Sequence, residues 1–144
     1  MFGKWGILMV KIGQRNPDKK HKKKERTHNA ILKDKLDAMF SRQMRDRADN
    51  KCEFCGKSTG QMHCHHGVVH RRYMNTRYEP DNCACVCVGC HTYLADFPKI
   101  NVEFFKKRIG SDRYEQLENF ARSGNKVSLD EVKKELEGKI DGKY

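Results

Sequence analysis

The stretch whose reading decides the fold is MHCHHGVVHRR, residues 62–72. It carries His63, His65, His66 and His70, two of them adjacent. Upstream stands CEFC, residues 52–55, and downstream DNCACVCVGCH, residues 81–91. Histidines set between Cys-x-x-Cys pairs point to metal, because thiolate and imidazole are donors that zinc favours. Cys52 and Cys55 form one pair, Cys87 and Cys90 the other, and each spacing suits a tight turn that aims two sulfurs at one point. Four thiolates make a closed tetrahedral set, so a structural Zn²⁺ is expected there. Binding of that kind contributes about 10–16 kcal/mol in zinc-finger peptides, and it counts as folding free energy. Residues 56–86 between the pairs are more than a simple zinc ribbon needs, so a further unit is inserted there. Cys64, Cys83 and Cys85 fall outside the two pairs and read as small buried fillers.

Composition supports the need for a staple. Of 144 residues, 37% are apolar and 34% charged, which suits one modest domain with extensions and little dry core. The net charge is +11. Residues 1–28 hold nine Lys/Arg against two Asp/Glu, so +7 of the +11 lies there. This segment reads as a flexible basic arm, and its charge favours a polyanion, nucleic acid before membrane. The apolar run WGILMV is too short to span a bilayer and lacks the marks of a secretory signal. With cysteines in Cys-x-x-Cys pairs rather than a disulfide framework, the expected location is a reducing one, the cytoplasm.

Along the chain, apolar residues Ile31, Leu32, Leu36, Met39, Phe40 and Met44 repeat at helical steps over about 29–48. QMHCHH and CACVC read as strands, and VGCHTYLADF as a short helix carrying Cys90 and His91. Beyond it, Asn101 is expected to cap VEFFKKRI, Ser111 to cap DRYEQLENFAR, and Ser128 with Glu131 to form a capping box. Gly110 and Gly124 read as stops. The expected organisation is a basic arm over 1–28, one domain over 29–124, and a C-terminal helix within 125–144.

Strand, loop, strand and helix around a histidine cluster is a ββα-metal layout. The set C-x-x-C, HH, N, C-x-x-C-H, with Asn82 nine residues before His91, resembles the HNH endonuclease family. RR-x4-RY-x-P-D-N before the asparagine, and FFKKRIGSDRYEQLE after the helix, are similar to phage-type members, NinG-type recombination endonucleases among them. The resemblance covers roughly residues 35 to 120. It implies an α+β fold, a small ββα-metal module with a four-cysteine zinc site flanked by helices. It also implies a metal-dependent DNA endonuclease with a histidine general base and one divalent cation. By similarity His66 is the base, His65 and His91 hold the catalytic cation, and Asn82 pins the intervening loop. Many relatives have Asp at the place of His65, and a polar residue where Ala95 stands, for which Asp96 is the nearest substitute. The segment from the histidine pair to the arginine pair is one residue longer than usual, so His63 or His70 is open as an alternative in either role.

The chemistry agrees with that reading. Phosphodiester hydrolysis needs a base near neutral pH, which imidazole provides, and relief of charge on the phosphate, which a divalent cation provides. Two imidazole ligands favour Mn²⁺, Co²⁺ or Ni²⁺ beside Mg²⁺. Arg71, Arg72 and Arg77 are the expected grips on the DNA backbone. Rival readings are a zinc-stapled nucleic-acid-binding module without catalysis, and an accessory that acts with other phage DNA-processing proteins in recombination or packaging. Substrate shape, oligomeric state and pathway are not written in the residues.

Overall fold

A computed structural model describes residues 25–141. Most of the expected basic arm, 1–28, lies outside the described residues. The elements are α1 (His28–Arg47), β1 (Met62–His66), a 3-10 turn (Pro80–Asn82), β2 (Cys83–Cys87), α2 (Val88–Asp96), α3 (Pro98–Ile109), α4 (Ser111–Arg122) and α5 (Leu129–Asp141). The class is mixed: helices around a two-stranded antiparallel sheet. No described helix is long and apolar enough to cross a membrane.

Helix α1 starts at Thr27, whose Oγ1 accepts the Ala30 N–H at 3.3 Å. Leu36, Phe40 and Met44, four residues apart, form its buried stripe, while Ile31 at the same helix's start stays 43% exposed. Asp49 and Asn50 both take positive φ, 54° and 52°, and turn the chain out of the helix into the first cysteine pair. Asp and Asn are the non-glycine residues that tolerate this region best.

The sheet has a single register: Met62 faces Cys87, Cys64 faces Cys85, and His66 faces Cys83, with His63–Val86 and His65–Ala84 between them. Side chains alternate along a strand, so His65 and His66 leave on opposite faces. On the His66 face, Cys83 joins Leu36, Phe40 and Met44 of α1 and Val132 and Leu136 of α5 in one apolar cluster. On the His65 face, Ala84 and Val86 belong to a second cluster with Leu94 of α2 and Phe105 of α3. The sheet is thus the partition between two small cores.

Two expectations about the helices change. Helix α3 begins at Pro98 rather than at Asn101, since proline's fixed φ and missing N–H suit a first helical turn. Asn101 is therefore inside the helix, and its amide is free for other work. Ser111, expected as a cap, is instead the first residue of α4, whose N-cap is Gly110 with no side-chain cap hydrogen bond. Helix α5 begins after Ser128 as expected, and the Ser128 Oγ accepts the Glu131 N–H at 3.4 Å. Gln43 of α1 donates from Nε2 to the Leu136 carbonyl at 2.8 Å, and α1 and α5 share the first cluster.

At the end of β1, Gly67 lies flat against the Phe105 ring. A Cβ built there would stand 1.9 Å from Phe105 Cε2, inside the ring's own volume. Phe105 is fully buried and cannot step aside. Gly67→Ala is therefore expected to cost about 1–3 kcal/mol by overpacking. Because both residues compete for one space, the pair Gly67→Ala with Phe105→Leu should lose less than the sum of the single losses. Chemical unfolding of the four proteins measures this; strict additivity would mean that the two residues do not share the space.

Candidate metal centre and histidine clefts

Cys52, Cys55, Cys87 and Cys90 bring their sulfurs together, all within 4.8 Å of one another. The turn over Cys52–Gly56 does this locally. The Gly56 N–H donates to the Cys52 carbonyl at 2.8 Å, the Cys52 N–H to the Lys57 carbonyl at 2.8 Å, and the Cys55 N–H points at Cys52 Sγ at 3.5 Å. Cys87 closes β2 and Cys90 lies in the first turn of α2, so the second pair spans the strand-to-helix junction. Burial pushes the Cys52 thiol up, yet backbone N–H groups of Cys55, Cys87 and Phe54 outweigh it and bring the value down to about 7. Backbone donors aimed at a sulfur are what a metal-bound thiolate requires. The four-cysteine cluster can hold a metal ion such as zinc.

Glu53, inside the first pair, locks this turn to the sheet. Its N–H donates to the Cys85 carbonyl at 2.8 Å, and its carboxylate accepts the Cys85 N–H at 2.6 Å. Arg47 of α1 and Arg108 of α3 both pair with that carboxylate, at 3.2 and 3.1 Å. Each also donates to the Cys83 carbonyl, at 3.0 and 2.9 Å. A single carboxylate thus joins the metal turn, β2, α1 and α3.

The histidines run along β1 away from the cysteine end, with His91 following Cys90 in α2. His65, buried, and His91 of α2 place their ring centroids 4.9 Å apart, with His63 at 5.3 Å from His91. Asn101 of α3 fixes the tautomer of His65. Its Nδ2 donates to the Gly67 carbonyl at 2.6 Å, so its Oδ1 is the acceptor facing His65 Nε2 at 2.9 Å. Nε2 of His65 therefore carries the proton and Nδ1 keeps the lone pair. On the opposite face, His66 Nε2 lies 2.9 Å from the Arg77 carbonyl, which can only accept. So His66 also holds its proton on Nε2 and offers a free Nδ1. Burial, first, and the charges of Arg77 and Arg71 bring its value down to about 4, against the pull of that carbonyl and Asp37. Burial likewise lowers His65 and His91, the latter helped by its histidine neighbours.

Asn82, fully buried, fastens the long connection between the strands. Its Oδ1 accepts the Val69 N–H at 2.7 Å, and its Nδ2 donates to the Val69 and Thr76 carbonyls, both at 3.0 Å. Thr76 precedes Arg77, so the carbonyl that holds His66 hangs from this clamp.

Two adjoining clefts of about 450 and 470 Å³ flank β1, sharing Cys64, His66, Arg71 and His91. His63 borders the first; His65, Ala95 and Asn101 border the second. Asp96, read as the substitute for a polar residue at Ala95, is exposed and lines neither. The polar side chain that borders the second cleft beside Ala95 is Asn101, whose expected place was a helix cap. Pro98 three residues earlier was the available signal.

The arginines need correction. Arg77 is 5% exposed and not a free surface cation: its Nε donates to Asp37 at 2.7 Å, Nη2 reaches the same carboxylate, and Nη1 donates to the Arg71 carbonyl at 2.6 Å. Tyr78 adds a hydroxyl donor to Asp37 at 3.0 Å. Burial raises the Asp37 carboxyl, but Arg77, Tyr78 and Arg71 outweigh it and hold it below the ordinary value. Asp37, on the apolar side of α1 one turn before Phe40, was legible only as surface charge. Arg72 lies over the Tyr73 ring at 4.9 Å, beside a separate hollow with Ala121 and Asn125. Of the three, only Arg71 lines the two histidine clefts. His70 is exposed, and its Nδ1 accepts the Arg72 N–H at 3.1 Å.

No family model, curated protein or solved structure matches the chain.

The cysteine cluster makes a direct prediction. Cys52→Ala, or stripping metal with a strong chelator, should unfold the hairpin and the start of α2 rather than merely loosen them. Purified protein should carry one tightly held ion at these four sulfurs. Circular dichroism with metal analysis tests it; a cooperatively folded, metal-free Cys52→Ala protein would refute a structural role.

Proposed function

We propose that the chain is a metal-dependent DNA endonuclease of the HNH, ββα-metal class, with His66 as general base. One observation carries the reading: adjacent His65 and His66 leave β1 on opposite faces, each with Nε2 occupied and Nδ1 free, beside clefts that share Arg71. His65 and His91 are the residues that would hold a divalent cation, and Asn101 fixes His65 for that task. Such an ion supplies charge neutralisation at the scissile phosphate and the departing oxygen. His66, neutral at physiological pH, accepts the proton of the attacking water at Nδ1 while the Arg77 carbonyl holds the ring. Arg77 and Asn82 are positioning residues; they act through that carbonyl. Arg71 is the side chain placed to meet a backbone phosphate.

A second reading has its own support. Among the described residues, no third Cys, His, Asp or Glu joins His65 and His91 in a close ligand group. A zinc-stapled module that binds nucleic acid without cutting it fits that fact.

Supercoiled plasmid separates the two. With Mn²⁺, Co²⁺ or Ni²⁺, the wild-type protein should nick at least as well as with Mg²⁺. His66→Ala should lose about 10²–10⁴ in rate while keeping fold and zinc. Binding without nicking under every metal would establish the second reading. At saturating metal, the acid limb of the rate should fall below the ordinary histidine value near 6.5 and approach about 4, because His66 resists protonation in the fold. The same shift sets the sign for stability. Between those pH values the unfolded chain takes up a proton that folded His66 refuses, so stability falls as pH falls.

Arg71→Ala should weaken DNA binding and reduce the slope of log K against log salt by about one. Arg72→Ala should change affinity less. Equal losses at both positions would place the DNA away from the histidine clefts.

A further inference from the structure

Cys64 and Cys83 were read as fillers, but their sulfurs and a ring nitrogen of His66 all lie within 4.8 Å of one another. The strand register causes this. His66 faces Cys83 directly, and Cys64, two residues before His66, is on the same side of the sheet. Cys85 is also buried on β2, yet it does not join the group. Cys83 is fully buried, whereas Cys64 and His66 line both clefts, so an ion entering from solvent has a path to all three. Arg47 and Arg108, which both donate to the Cys83 carbonyl and share the Glu53 carboxylate, ease a thiolate here, but burial still holds the Cys83 thiol well above its ordinary value, so the ion itself must displace the proton.

We propose that Cys64, Cys83 and His66 form a second metal site, selective for a thiophilic divalent ion of the Zn²⁺ class, and that its occupancy switches the hydrolytic site off. Binding exchanges two thiol protons for the ion, giving two metal–sulfur bonds and a neutral core. Two sulfurs and an imidazole are soft and borderline donors, a set that excludes Mg²⁺. Three protein ligands leave one position open toward the cleft, so this ion exchanges, unlike one closed in by four cysteines. With Nε2 held by the Arg77 carbonyl, His66 has one lone pair to give. A metal on that nitrogen and a proton from water exclude each other. The inhibitory half rests on His66 being the base; the binding half does not.

The test uses the full chain with its four-cysteine site filled, titrated with Cd²⁺ and followed by the thiolate-to-metal charge-transfer absorbance. An ion held by His65 and His91 adds nothing to that band, since it has no sulfur ligand. The wild-type band should correspond to six bound thiolates, four from the first cluster and two from the second. Cys64→Ser should lower it toward five, and Cys83→Ala likewise. Cys64 is half-buried, so its serine variant keeps the test open if the Cys83 variant fails to fold. A wild-type band of four thiolates, unchanged by Cys64→Ser, overturns the site.

Cleavage is then measured with Mn²⁺, with and without added Zn²⁺, and scored as the ratio of the two rates. Zn²⁺ should lower the wild-type rate by about 10²-fold or more, the scale of losing a general base, and Cys64→Ser should largely escape. Equal inhibition of both proteins overturns the switch even where the second ion binds. A wild-type protein that cuts under no metal overturns the switch together with the endonuclease reading, while the thiolate count still decides the site.

Discussion

The structure hangs on the junction where β2 ends, α2 begins and the first cysteine turn docks. Cys87 and Cys90 bracket that junction, and Cys52 and Cys55 meet them from a turn more than thirty residues earlier. Fixing four sulfurs at one point sets the angle between strand and helix. His91 follows Cys90 directly, so the same constraint delivers its imidazole to the His65 face. Glu53 extends the constraint: by accepting from Cys85, Arg47 and Arg108 it ties both flanking helices to the strand that carries the second pair. Among the described residues the buried apolar side chains gather in three small clusters, not one large one, and the cysteine junction stands beside the largest of them.

A second network serves the histidines. Asp37 holds Arg77, Asn82 holds the Thr76 carbonyl, and the Arg77 carbonyl between these two anchors holds His66. The loop is long, but the segment that touches the imidazole is fixed from both sides. Arg77, expected to grip DNA from its place in the loop between the strands, is held in this internal task. Of the three arginines expected to grip a backbone phosphate, Arg71 is the one that lines both clefts; it is only loosely drawn to Asp37 at 3.4 Å and keeps most of its side chain in water. The division of labour between two neighbouring arginines follows from burial: the buried one needs a carboxylate partner and the exposed one does not.

Facing sides of the hairpin carry different chemistry. One side offers histidine nitrogens and an amide, suited to an ion that also takes hard oxygen ligands. The other offers two thiols and the single free nitrogen of His66. Only the strand's alternation separates them, so His66 belongs to the proposed hydrolytic arrangement by its neighbour His65 and to the thiol cluster by its cross-strand partner Cys83.

Local rules were enough for the elements and the cysteine cluster. Cys-x-x-Cys spacing, the strand-like runs at QMHCHH and CACVC, the helix across Cys90 and His91, and the Ser128 cap are all short-range features, and the structure has them. Of the six apolar residues that repeat at helical steps in α1, Leu36, Phe40 and Met44 form its buried face, while Ile31 stays exposed. What the sequence could not contain was who meets whom across the fold. Asn101 was assigned to a cap by local rule, yet it reaches His65 because α3 starts earlier, at Pro98. Asp37 and Arg77 are forty residues apart and look like solvated charges until the loop closes over α1. Cys64 and Cys83 looked like fillers because each is ordinary alone; the antiparallel register makes them a pair beside His66. Periodicity and spacing act through neighbours in the chain, so sequence determined them. Burial of a charge, choice of a tautomer and assembly of a ligand set depend on groups brought together from afar, and only the tertiary structure decides those.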